Sequence, residues 1–417
     1  MPHARQPVRL TAGLAGTALV AGLLTAGTPP SLATGPAAAS ERQVATRSQV
    51  LLDWERVLFR TVYTEGLTPI PVGIPLLGFT SMAMYNAVHA SLDRRRSSEK
   101  AAVAAAAHGV LVHYFPLAEV TLDANLLATL ALVPDGRGES RGSRIGRAAA
   151  ADMIASREND GYGDETIHYD KPPGIGFWQP TPPATDMLGA WLGSVRQLVQ
   201  TSRVAVDGPD AVTSRRYADD FEEVKAEGGA TSTVRTPRQT LTAWFFHANV
   251  ATMLGEALVH RLREHPVGLR RTARLFAVMH ASMTNTIIQC WEHKREVGFW
   301  RPAAGIAAAA DDGNPATRPE EGWTSLVAAP PYSDYVSGHA CGTSPAVETI
   351  RRILGEDTAL ELASSYAPRS RVYRDLRTLE SQALNARIWA GLHFRDAMED
   401  GYRIGHETAR RVLALVP

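Results

Sequence analysis

VLLDWERVLFRTVYTEGL, residues 50–67, sets the fold class. Leu51, Trp54, Leu58 and Val62 recur at intervals of three or four residues, which places them on one face of an α-helix. The same periodicity runs through LGFTSMAMYNAVHASL (77–92) and EKAAVAAAAHGVLVHYF (99–115), where Pro116 ends it. Further helices are predicted over 117–132, 140–158, 184–201, 213–227, 236–262, 265–295, 341–354, 356–366, 373–390 and 394–415. Almost nothing alternates with period two, so the chain reads as all-α, its helices in bundles rather than a repeat array.

Two irregular stretches interrupt the pattern: DGYGDETIHYDKPPGIGFWQPTPPATD (160–186) and the long connection 301–339. Loops of that length inside a compact domain are usually functional or linkers. The second is rich in Trp, Tyr and Val, so it is expected to pack over a site. In the first, His168, Asp170 and Lys171 either line the entrance to that site or sit on a plain surface loop.

The 417 residues, 45% of them hydrophobic, suffice for a large core. Lys plus Arg equals Asp plus Glu at 43 each, which argues against a nucleic-acid partner or a polybasic membrane contact. The first 39 residues differ in composition: Arg5 and Arg9, an apolar run from Leu10 to Ala26, then small residues. That order is that of a secretory signal peptide cleaved near Ala37 to Ala39, with an apolar run too short to favour a membrane anchor. The expectation is an exported protein with one all-α domain over 40–417, of which 40–235 is an N-terminal helical part and 236–417 carries the chemistry. Two cysteines, Cys290 and Cys341, exclude a thiolate zinc framework. If the segments around them converge, one disulfide between them is possible.

Three short clusters lie where helices start or stop. In WEHKREVGFWRP, Lys294 and Arg301 are seven apart, with Gly298 at the helix end. In DYVSGHACG, Ser337, Gly338 and His339 precede the helix of 341–354. In NARIWAGLHFRD, Arg387 lies before Gly391 and His393 after it. A six-residue gap in one straight helix would set Arg387 and His393 roughly 120° apart, so their convergence needs a break at Gly391. Three cations, two histidines, a hydroxyl and helix N-terminal amides suit a phosphate-like or vanadate oxyanion.

Lys294 with Arg301-Pro302, Ser337-Gly338-His339, and Arg387 with His393 resemble, in order and spacing, the three-part motif of vanadium-dependent haloperoxidases and type 2 phosphatidic-acid phosphatases. The resemblance continues upstream, through GFWQPTPPATDMLGAWLGSVRQL and EVKAEGGATSTVRTPRQT, to bacterial haloperoxidase-like proteins. It implies a helical-bundle fold with vanadate as cofactor, His393 as the vanadium ligand, and Lys294, Arg301, Ser337, Gly338 and Arg387 on its oxygens. His339 would be the acid–base group. Hydrogen peroxide, a halide and a small organic acceptor would be the partners, and hypohalous acid the product. Trp291 and Tyr332 stand where chloroperoxidases of the family border the halide site, packing being the alternative. The sequence departs from the family at Val336 (usually proline), at Ala386 (often serine) and at Asp396, the candidate for orienting His393, which comes three residues after it rather than four.

Other readings of the site are an acid phosphatase with a phosphohistidine at His393 and a catalytically weak anion-binding relative. A serine hydrolase is disfavoured because there is no G-x-S-x-G elbow and the chain is not α/β. His89, His108, His113, His247, His260 and His280 fall on helical stretches without a partner at metal spacing and are taken as packed or surface residues.

Overall fold

The computed structural model describes residues 36–92 and 97–417, so residues 1–35 of the expected signal peptide lie outside the described residues. Thirteen α-helices form the described chain, with one short hairpin. They are α1 (Pro36–Phe59), α2 (Ile70–Leu92), α3 (Glu99–Tyr114), α4 (Glu119–Leu130), α5 (Arg137–Ser156), α6 (Arg215–Gly228) and α7 (Pro237–Phe245). There follow α8 (Val250–Glu264), α9 (Leu269–Val297), α10 (Pro302–Ala308), α11 (Gly338–Leu354), α12 (Leu376–Trp389) and α13 (Arg395–Leu415). The strands β1 (Leu360–Leu362) and β2 (Arg371–Tyr373) pair antiparallel, with Glu361 opposite Val372. None of the described helices is long and apolar enough to cross a membrane.

The 29-residue α9, about 44 Å long at 1.5 Å per residue, is the axis of the molecule. Helices α1, α2, α11 and α13 pack around it, and it is buried almost throughout. A helix so enclosed has to satisfy its polar side chains internally. Thr284 and Thr286 donate to the carbonyls four residues back, at 2.8 and 2.7 Å. Asn285 and Gln289 instead accept from the backbone amides of Leu198 and Val204, each at 2.9 Å.

Those last two contacts explain a difference from the expected helix over 184–201. Apart from a single 3₁₀ turn at Ala190–Ser194, the segment runs without helix across α9, because α9 side chains take up the hydrogen bonds that a helix would make internally. The expected helix 236–262 is two helices, with Asn249 capping α8 through the amides of Ala251 and Thr252. The stretch 356–366 supplies β1 instead of a helix, its alternate residues Leu360 and Leu362 buried. Within 301–339, Pro302 opens the short α10.

Candidate active site

The site is assembled from ends of helices, where backbone groups lack intrahelical partners. On α9, Trp291 and Lys294 lie one turn apart, and Gly298 ends the helix by donating to the Lys294 carbonyl at 3.0 Å. Arg301 then occupies the cap position of α10. Ser337 caps α11, its Oγ accepting from the Ala340 amide at 3.3 Å, while its own amide donates to Ala397 of α13 at 2.8 Å. The α11 helix starts at Gly338, so His339 lies within its first turn rather than ahead of it.

Two glycines are required by close approach. A Cβ at Gly338 would come within 2.9 Å of the Trp291 ring, so only glycine lets the α11 N-terminus sit against α9. Gly391 has φ +76°, and a Cβ there would lie 2.4 Å from the Gly228 carbonyl. The α12 helix therefore ends there, with the Leu392 amide donating to the Arg387 carbonyl at 3.1 Å, and the chain turns back so that His393 meets the other clusters.

The convergence is close. Lys294 Nζ donates to the carbonyls of Ser333 and Asp334 at 2.6 and 3.0 Å and lies 4.8 Å from the Tyr332 ring centre. Arg301 donates to the carbonyls of Tyr332 and Leu392, and its Nη1 lies 3.1 Å from His393 Nε2. Arg387 adds a third buried cation, reaching the Phe246 carbonyl at 3.4 Å. Trp291 and Tyr332 pair as rings 5.1 Å apart.

His393 Nδ1 lies 2.7 Å from the Asp334 carboxylate, which is itself 3.8 Å from Arg301. Asp334 therefore stands where the sequence pointed to Asp396. The Asp396 carboxylate turns away and accepts from the Asp210 amide at 3.1 Å, because α13 starts at Arg395 and its first turn faces α6 and the 207–210 loop. With Nδ1 turned to Asp334 at 2.7 Å, the Nε2 lone pair faces Arg301 Nη1 at 3.1 Å and is the ring's other ligand position. Burial holds His393 well below the usual histidine range, and Arg301, Lys294 and Arg387 add to this. Burial pushes Asp334 up to about 7 while Arg301 and Lys294 pull it down. Burial brings Arg387 down to about 10 and, with Arg387 beside it, keeps His339 well below its ordinary value.

Three cations and one carboxylate leave the cluster two positive charges in excess when the histidines are neutral. Arg301 Nη2, Arg387 Nε and His339 Nε2 are buried without a hydrogen-bond partner among the described residues. Buried donors are rarely left so, and their chemistry matches an oxyanion whose oxygens would take all three. Beside them is a cavity of ≈ 150 Å³ lined by Trp291, Tyr332, Gly338, His339, Arg387 and His247. That is room for about five waters at roughly 30 Å³ each, enough for an oxyanion and a small co-substrate.

His247, read from sequence as packing, faces this cavity from the break between α7 and α8. Asp334 and His247 are the two site residues that sequence reasoning missed. Asp334 lies three residues before Ser337, and that adjacency was the available signal. In the 160–186 loop, His168 is exposed and pairs with Asp186 at 2.7 Å, and neither it nor Asp170 nor Lys171 lines the cavity. Cys290 and Cys341, both fully buried, form a disulfide with Cα atoms 6.7 Å apart, tying α9 to α11 just behind Lys294 and Ser337.

The described chain is an all-α helical-bundle protein that gathers three buried cations and a carboxylate-backed histidine at helix ends, a set suited to an oxyanion. Comparison with known proteins places it more closely. Residues 274–417 match the VCPO second helical-bundle domain. A vanadium chloroperoxidase of Curvularia inaequalis is 28% identical over 193 residues, a match spanning 38% of this chain and 30% of that relative's length. Among solved structures, the first bacterial vanadium-dependent iodoperoxidase superposes with TM-score 0.72 at 17% identity, over 89% of this chain and 96% of that one. A holo-type bacterial vanadium-dependent chloroperoxidase gives TM-score 0.63 at 14% identity, over 83% and 93%. Residues 274–417 thus resemble the second helical bundle of vanadium chloroperoxidases, and the fold over most of the chain is that of the bacterial vanadium-dependent haloperoxidase structures.

Proposed function

We propose that this protein is an exported vanadium-dependent haloperoxidase, oxidising a halide with hydrogen peroxide to hypohalous acid for a small organic acceptor. The observation that carries this reading is the excess of buried positive charge with three unpartnered donors, set against a Trp291–Tyr332 wall. The residues fit vanadate: His393 Nε2 would ligate the metal, and Lys294, Arg301, Ser337, the Gly338 amide and Arg387 would hold its oxygens. Bound vanadate would supply Lewis acidity toward peroxide.

The chain's own groups do the rest. Asp334 fixes the His393 tautomer and ring plane. Ser337 Oγ accepts from Ala340, which leaves its hydrogen to donate into the site. His339, neutral with its Nε2–H unpartnered, gives the proton there and takes it back. Trp291 and Tyr332 keep water from the halide side. Export is supported by the leader-like N-terminus and by the buried disulfide, which persists in oxidising compartments.

The test is reconstitution of the purified protein with orthovanadate, with bromide and iodide oxidation followed beside p-nitrophenyl phosphate hydrolysis by the vanadate-free form. Vanadate-dependent halide oxidation is expected. Phosphate-ester hydrolysis without halide oxidation would instead assign an acid phosphatase with a phosphohistidine at His393.

A further inference from the structure

The ≈ 150 Å³ cavity at His339 shares its His247 wall with a larger neighbour. Ile70, His247 and Ala248 also line a second cavity of ≈ 850 Å³ that opens outward between α1, α8 and β1. A cavity of that size takes an organic molecule of ordinary cofactor or metabolite dimensions, far more than a halide or peroxide needs. Its wall carries an aromatic platform: the Tyr366 ring is 4.4 Å from His247 and 6.2 Å from Trp244, yet the residue is 51% exposed. Tyrosine held by two ring neighbours with its outer surface left open is a stacking surface for another ring.

The charges along the wall sort ligands by sign. Arg56 and Glu256 neutralise each other at 2.9 Å. Glu361 accepts from Ser370 and has no ion-pair partner among the described residues, so the wall retains a negative charge.

We propose that this outer cavity is a binding subsite for a neutral or cationic electron-rich aromatic acceptor, stacked on Tyr366 and presented past His247 to the inner cavity. The inference rests on the haloperoxidase reading of the inner site. Hypohalous acid leaving that site meets the acceptor ring: a carbon–halogen bond forms, the oxygen–halogen bond breaks, and the displaced ring proton leaves with hydroxide as water.

Equilibrium dialysis of the vanadate-free full chain against tyramine and 4-hydroxyphenylacetate tests the subsite without turnover. Saturable tyramine binding is expected, with 4-hydroxyphenylacetate weaker by about two- to fivefold, as expected for one exposed charge, and the preference shrinking in Glu361→Gln and in high salt. Tyr366→Ala should weaken tyramine binding by roughly tenfold and Tyr366→Phe should keep it, the melting temperature of each variant serving as the folding control. Absence of saturable binding, indifference to Tyr366→Ala, or equal binding of the two phenols would overturn the proposal. Iodide oxidation by the vanadate-loaded wild type needs no organic acceptor, so it reports on the inner site alone. Iodide oxidation without tyramine binding sinks the subsite alone, and tyramine binding without iodide oxidation sinks the haloperoxidase reading and the acceptor role with it, leaving an aromatic-binding cavity.

Discussion

Two buried clusters in this molecule contain the same kinds of side chain, and α9 contributes to both. In one, Ser81 Oγ lies 2.9 Å from Glu55 Oε1 and 2.7 Å from His280 Nδ1, all three buried among α1, α2 and α9. In the other, Ser337, His393 and Asp334 meet Lys294, which is 14 residues, or about 21 Å, further along α9 than His280. Both hold unpartnered polar atoms. The first has no cation, lines neither cavity, and presses His280 between Phe59 and Phe276 at 5.8 Å each. A serine, a histidine and a carboxylate are therefore not enough to make a site. Surplus charge aimed at open space is what separates the second cluster from the first.

The sharpest way to break this contrast is to remove one histidine from each cluster. His393→Ala should lower vanadate-dependent halide oxidation by about 10³-fold or more and abolish vanadate binding, with the melting temperature little changed. His280→Ala should instead destabilise the fold by about 2–4 kcal/mol, since it empties a packed position, and leave activity per folded molecule near wild type. Urea melts and halide assays on both variants check this, and halide oxidation surviving in His393→Ala would remove the ligand assignment. Next in size is the disulfide, which closes a 51-residue separation and is worth about 4 kcal/mol by chain entropy. Cys290→Ala with Cys341→Ala should show that loss in urea melts, and thiol titration of the native protein should find no free thiol.

How much of this was legible in the sequence follows the same division. The helices were legible because their apolar spacing is local, as in the Leu51, Trp54, Leu58 series, all fully buried. Three motif clusters were legible because each lies where a helix starts or stops and carries glycine. The 184–201 segment was not, since the side chain that holds it at Leu198 and Val199, Asn285, lies over 80 residues away. Asp334 was hidden for a related reason. Its meaning depends on His393 lying across a 59-residue separation, whereas Asp396 sat in plain view beside the histidine and faced the wrong way.

That substitution of one acid for another yields a prediction of middle size. Asp334→Asn should weaken vanadate binding by about 10- to 100-fold, the usual cost of losing a group that orients a metal-ligating histidine. Asp396→Asn should change it by less than about twofold. Vanadate titration monitored by equilibrium dialysis separates the two, and equal effects would return the orienting role to Asp396.

The smallest expected effect comes from the cluster without cations. Ser81 Oγ donates to Glu55 Oε1, so its one hydrogen is used there and it accepts from His280 Nδ1–H. Burial raises Glu55 from 4.5 to about 8 and lowers His280 from 6.5 to about 3. A carboxyl whose folded value is raised contributes stability that is full below pH 4.5 and lost as pH rises to about 8. A histidine whose folded value is lowered contributes stability that is full above pH 6.5 and lost as pH falls toward 3. The two slopes oppose each other between pH 4.5 and 6.5, and only Glu55 acts from 6.5 to 8. Wild-type stability should therefore fall by about 1–2 kcal/mol over that upper window, at 1.36 kcal/mol per unit. Glu55→Gln keeps an acceptor for Ser81 and cannot ionise, so urea melts at pH 6.5 and 8 should show that component gone, while the cationic site further along α9 is unaffected.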